Sequence, residues 1–210
     1  MRTEDLIEAL ARDAKCERPG VGRTLAIGCA AGAGVAILLF LATLGLRADF
    51  QQAILSPWYV AKVSVLFSMV VATIPVVDAL SRPGAKVPTS RFLLPGALLA
   101  VAILADLWVM GVPGSLRRLT GTNGLDCIAL TPFYSAAPLV ATLIALRNGA
   151  PTSPGRAGLA AGLLTGAIGG LLYSLYCPDD SPLFVAFWYP IGIGLVVVSG
   201  GLAGRIALRW

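Results

Sequence analysis

Two cysteines and three aspartates carry most of the chemistry open to this chain. Cys177 begins the run Cys-Pro-Asp-Asp-Ser-Pro at residues 177–182, and Cys127 directly follows Asp126. The chain has no histidine, which removes the commonest metal ligand and the usual general base. Thiol chemistry is what remains. Two thiols can close to a disulfide in an oxidising compartment if their Cα atoms come within about 7 Å. Alternatively they can capture a soft or borderline metal ion such as Cu(I) or zinc. Asp126, Asp179 and Asp180 are the auxiliary acids that would join a transient ion at Cys127/Cys177. The same carboxylates disfavour a second negative charge and so raise the thiol pKa, which suits a switch better than a fast thiol enzyme. No CxxC pair, HExxH, Gly-rich phosphate loop or Ser/His/Asp set is present, and the chain is not expected to be an enzyme. Spacing alone leaves open whether the two cysteines meet. Of the other cysteines, Cys16 reads as a free thiol and Cys29 as a small packing residue.

The elements that must position these residues are membrane helices. The chain has 210 residues, 57% hydrophobic and only 13% charged, with a mean hydropathy of +0.81. A soluble domain carries about 25% charged residues, so there is too little polar surface for a soluble fold. Apolar stretches of about 17–25 residues can cross a bilayer as helices. Six are expected, at Leu25–Leu46, Val60–Leu80, Phe92–Val112, Cys127–Leu146, Ala157–Tyr176 and Leu183–Gly204. The fourth and fifth are the weakest, interrupted by Pro132, Pro138 and many glycines. The fold class is therefore all-α: a polytopic bundle of six transmembrane helices behind a short cytoplasmic N-terminal amphipathic helix. Lys and Arg favour the cytoplasmic side. With the N-terminus inside, the inner segments hold Arg2, Arg12, Lys15, Arg18, Arg23, Arg82, Lys86, Arg91, Arg147, Arg156, Arg205 and Arg209, against Arg47, Lys62, Arg117 and Arg118 outside. Both termini are thus expected in the cytoplasm, with Cys127 and Cys177 on the outer face. The net charge of +5 is explained by these inner loops and calls for no direct nucleic-acid partner.

Residues 1–23 form the one sizeable segment outside the spans, and residues 24–210 the bundle. Thr3 reads as a helix N-cap, with Glu4 and Asp5 in the first turn. Leu6, Ile7, Leu10 and Ala14 make a narrow apolar stripe, and Pro19-Gly20 ends the helix. Such a helix is marginal alone and suits either membrane-surface docking or a partner's groove. Its five acidic residues favour the protein partner over an anionic leaflet. Within the spans, Lys62 and Asp106 are expected to form an intramembrane ion pair or, alternatively, to line a polar pathway. Glycines at four-residue spacing, Gly158/Gly162/Gly166/Gly170, let helices approach closely and put the fifth span at the centre of the bundle.

Three stretches, RTEDLIEALARDA near the N-terminus, Cys127, and CPDDSPLFVAFWY entering the last span, make the chain resemble the NrsF-type six-span membrane anti-sigma factors of proteobacteria. The resemblance implies an inner-membrane protein whose N-terminal segment sequesters an extracytoplasmic-function sigma factor. It makes Thr3, Asp5, Leu6, Ile7, Leu10 and Asp13 the partner-contact candidates. It also implies that Cys127 and Cys177 form a pair sensing redox or metal stress. One departure stands out: members of that family often place histidine directly before the second cysteine, where this chain has Tyr176. The competing reading is a small membrane transporter or channel using Lys62 and Asp106.

Overall fold

In the computed structural model, residues 21–149 and 151–208 are described, together with Thr3, which is helical and exposed. The sigma-contact candidates Asp5, Leu6, Ile7, Leu10 and Asp13 lie outside the described residues. Among the described residues the chain is helical throughout: α1 Val21–Thr43, the short α2 Phe50–Ala53, α3 Pro57–Leu80, a 3₁₀ turn Thr89–Phe92 leading into α4 Leu93–Met110, the short α5 Ser115–Thr120, α6 Gly124–Leu146, α7 Pro154–Ser174 and α8 Pro182–Ala207. Six helical segments are long and apolar enough to cross a membrane. They are α1, α3, the turn with α4, α5 with α6, α7, and α8.

Local sequence explains where these helices begin. Ser56-Pro57, Ser153-Pro154 and Ser181-Pro182 each place serine at the N-cap and proline at the first helical position. Proline is preorganised there, because its fixed φ suits the helix and its missing N–H would be unpaired anyway. Ser181 completes the cap by accepting a hydrogen bond from the Leu183 amide at 3.3 Å. This is why α3, α7 and α8 start ahead of the apolar runs that announce them. Pro132 and Pro138 leave α6 unbroken from Gly124 to Leu146. A membrane helix keeps such residues when neighbours re-satisfy the backbone.

Packing follows residue size. In α7, 78% of an 18-residue window is buried, the highest share of any span, which makes it the central helix. Its glycines face backbone: a Cβ on Gly162 would sit 2.5 Å from the Val196 carbonyl oxygen and 2.7 Å from Val197 Cα, while Gly200 on α8 faces Gly162 in return. The two helices therefore touch backbone to backbone along Gly158, Gly162, Gly200 and Gly204. Gly28 and Gly32 play the same part for α1 against Ala141 and Pro138 of α6. Polar side chains add to this contact, with the Thr43 and Tyr134 hydroxyls 2.7 Å apart between α1 and α6. Outward positions such as Leu38, Leu93, Leu104 and Ile206 carry exposed apolar side chains, as a lipid-facing surface requires. At the end of the bundle remote from Cys177, Arg82 pairs with Asp78 one turn earlier at 2.8 Å.

Candidate functional site

The chemistry gathers at the end of the bundle where α7 turns into α8. That turn, residues 175–181, carries Cys177, Asp179 and Asp180. Cys127 lies in the first turn of α6. Both sulfurs are free thiols, and both cysteines are fully buried in one apolar cluster with Leu66, Tyr173, Phe184, Val185, Tyr189 and Ile193. Cys127 Sγ stands 3.9 Å from the Thr131 hydroxyl one helical turn on. Cys177 is fixed by its own amide, which donates to the Tyr173 carbonyl at 3.0 Å. Burial pushes the Cys177 thiol up from its ordinary value. The Lys62 charge, the Asp179 amide and the Tyr173 hydroxyl oppose that shift without cancelling it. Both thiols are enclosed, and a buried thiol is inert until something opens its surroundings.

The acids do not turn toward the thiols. Asp126 is exposed on the surface of α6. Asp179 reaches instead to the N-terminus of α6: its Oδ2 accepts from the Thr122 amide at 3.0 Å, the Asn123 amide at 2.9 Å and the Asn123 side-chain amide at 3.0 Å. Burial works against the carboxylate's charge, but these donors outweigh it and hold the Asp179 pKa below the usual carboxylate range. The chain can wrap this carboxylate so closely because Gly121, just before the donors, has φ +56°, where other residues are strained. A Cβ there would also lie 3.0 Å from the Asp179 carboxyl carbon. Asp180 is committed elsewhere again, to Arg47 at 2.9 Å and Lys62 at 2.5 Å. Among the described residues no group of three or more His, Cys, Asp or Glu side chains converges as a metal-binding set. The donors that an ion would meet here are the two sulfurs, so a mixed thiolate–carboxylate centre does not fit this arrangement.

Lys62 and Asp106 do not meet. Lys62, on α3, points at the α7–α8 turn, where its Nζ donates to the Cys177 carbonyl at 2.8 Å besides pairing with Asp180. Asp106, on α4, is paired with Arg118 of α5 at 3.1 Å. Arg118 also donates to the Gly111 carbonyl at 2.6 Å, closing the loop between α4 and α5. The expected Lys62–Asp106 pair is replaced by two separate pairs because the chain folds α5 back over the end of α4 and supplies a nearer cation. Both charges are buried, as intramembrane charges are when they have partners.

Several contributors to the site escaped the sequence reading. Arg47, just past α1, bridges Asp49 and Asp180. Thr122 and Asn123 form the cradle of Asp179. Trp188 donates its indole N–H to the Leu119 carbonyl at 2.9 Å and packs over Gly124, tying α8 to α5 and the start of α6. Nothing local in the sequence identified Asp179 as the ligand of residues 122–123.

Fold and site define a six-span helical membrane protein with a buried dithiol at one end and no assembled catalytic set among the described residues. Residues 10–210 match the family described as NrsF, negative regulator of sigma F. The anti-sigma-F factor NrsF of Caulobacter vibrioides is 36% identical over 214 residues, covering all of both chains. The probable anti-sigma-F factor NrsF of Azospira oryzae is 36% identical over 213 residues, again covering both completely. The chain therefore belongs to the NrsF family. No solved structure matches it.

Proposed function

We propose that this protein is an inner-membrane anti-sigma factor that holds an extracytoplasmic-function sigma factor through residues 1–23 and releases it when the Cys127/Cys177 pair is modified. Full-length membership of a family of negative regulators of sigma F is the observation that carries the anti-sigma reading. The sensing part is supported by two free thiols enclosed in one cluster, at the end that Lys and Arg bias assigns to the outside. Because Asp179 and Asp180 are engaged with other partners, oxidation of the thiols is favoured over mixed-ligand metal capture. Joining two enclosed thiols as a disulfide converts two S–H groups into one S–S bond and passes two electrons and two protons to an oxidant of the envelope. The new bond would draw the α7–α8 turn toward α6. The bundle has to answer in two states that the signal favours unequally.

The transporter reading has less support, because Lys62 and Asp106 are each satisfied in separate pairs. A cavity of about 570 Å³ between α3, α4, α7 and α8 includes neither residue in its lining, which is apolar and includes Leu66, Met69, Leu99 and Ile193.

The test is co-purification of tagged full-length protein from membranes. We expect a sigma factor to accompany the intact chain, and to be lost when residues 1–18 are deleted while the bundle still accumulates. The double variant Cys127→Ser/Cys177→Ser should keep the sigma factor under oxidant, whereas the parent lets it go. Absence of any sigma factor from the intact complex overturns the anti-sigma reading. A double variant that still responds normally overturns the thiol sensor alone.

A further inference from the structure

Lysines near the end of a membrane span ordinarily extend the side chain to reach interfacial water. Lys62 does the opposite. Its side chain is fully enclosed, and enclosing an ammonium is strongly unfavourable unless partners surround it. An ammonium has three N–H donors, and here every acceptor it faces belongs to one short run of chain. These are the Cys177 carbonyl at 2.8 Å and the Asp179 carbonyl at 3.4 Å, which accept its hydrogen bonds, and the Asp180 carboxylate, which forms an ion pair with Nζ at 2.5 Å. The Tyr59 ring lies beneath the charge, 5.5 Å from Nζ to its centroid. A single side chain of α3 thus grips residues 177–180 by backbone and side chain together.

The rest of the turn is pinned from other directions. Arg47 holds the second oxygen of Asp180, and its amide donates to the Leu175 carbonyl at 3.4 Å. Asp179 ties the turn to residues 122–123, immediately ahead of the helix that carries Cys127. Of these ties, the one made by Lys62 is the most enclosed, and it falls on the residue that bears the thiol.

We propose that Lys62 is the positioning residue of the thiol site: by clamping the Cys177 carbonyl and Asp180 it keeps the turn closed over both thiols and links any movement of that turn to α3. The proposal rests on the sensor reading above for its purpose, but not for its geometry. Buried thiols are modified through local opening, so thiol labelling reads the clamp directly. Full-length protein in lipid nanodiscs would be exposed to a maleimide, with labelling of Cys127, Cys177 and Cys29 quantified separately by peptide mass spectrometry. Cys29, on α1, serves as the internal reference.

In Lys62→Met, which keeps the length of the side chain and removes the charge, we expect Cys127 and Cys177 to label about tenfold faster, as expected when a local opening becomes easier, with Cys29 unchanged. Asp180→Asn attacks the same clamp from the turn and should give the same local pattern; it carries the test if Lys62→Met does not accumulate. Labelling at the parent rate in the accumulating variant overturns the proposal. So does a parallel rise at all three cysteines, which would mark general loosening. Faster labelling without altered sigma-factor release would instead count against the sensor reading and leave the clamp standing.

Discussion

At the scale of the residue, the two aspartates of the Cys-Pro-Asp-Asp turn have different tasks. Asp180 neutralises Lys62 and Arg47, while Asp179 satisfies the amides at the start of α6. Negative charge at a helix N-terminus is favourable, and four donors of Thr122 and Asn123 converge on one carboxylate oxygen, so Asp179 joins the two thiol-bearing segments electrostatically. The pH dependence follows from the sign of its shift. Because the folded pKa lies below the ordinary value, this contribution is fully present above the unfolded carboxylate pKa of about 4. It is lost as pH falls through the lower folded value. We expect Asp179→Asn to lower the thermal midpoint at neutral pH and to flatten its decline toward acid, as measured on purified protein in detergent. An unchanged slope against pH would remove Asp179 from this role. Partner choice at this scale was only half legible. That Lys62 and Asp106 were buried and needed counter-charges followed from hydropathy. Which counter-charges they took depended on helix rotation and on a residue 118 positions along the chain in one case, Asp180, and on the fold-back of α5 in the other.

At the scale of the element, the spans were legible because hydrophobic length is a direct consequence of bilayer thickness. The helix starts could be sharpened by the three Ser-Pro steps, whereas the Gly121–Gly124 cradle stayed hidden because its ligand is more than fifty positions away. The glycine periodicity of α7 likewise has a measurable consequence. A methyl added at Gly162 would meet α8 backbone at 2.5–2.7 Å, while one at Gly34 on α1 would meet nothing within 4 Å. Gly162→Ala should therefore force the two helices apart, at a cost of about 1–3 kcal/mol as overpacking typically does. Gly34→Ala should be neutral or stabilise by up to about 1 kcal/mol through helix propensity. Paired thermal melts of the two variants check this. Equal behaviour would mean that α7 and α8 are not in backbone contact.

At the scale of the whole molecule, the proposed signal enters at one end and its effect is read at the N-terminal segment. The described chain enters α1 at the end of the bundle where Gly22 lies beside Asp78 and Arg82, remote from the thiols, so the proposed coupling would run through the packing of the bundle. A nearly complete switch, from 99:1 to 1:99, requires about 5.5 kcal/mol of differential affinity. Linkage makes that requirement reciprocal. If oxidising Cys127 and Cys177 weakens sigma-factor binding, then the bound sigma factor must favour the reduced dithiol by the same factor. Favouring the reduced form raises the reduction potential of the couple, by about 30 mV for each tenfold change in affinity for a two-electron couple. Redox titration of the thiol pair, with and without saturating sigma factor, should therefore show a more positive midpoint in the complex. Deleting residues 1–18 should abolish the difference. A hundredfold weakening on oxidation corresponds to a shift of about 60 mV, well within reach of a titration followed by thiol labelling. Identical midpoints would mean that the thiols and the N-terminal segment are thermodynamically independent, and the signalling mechanism would fail even if each end did its own task.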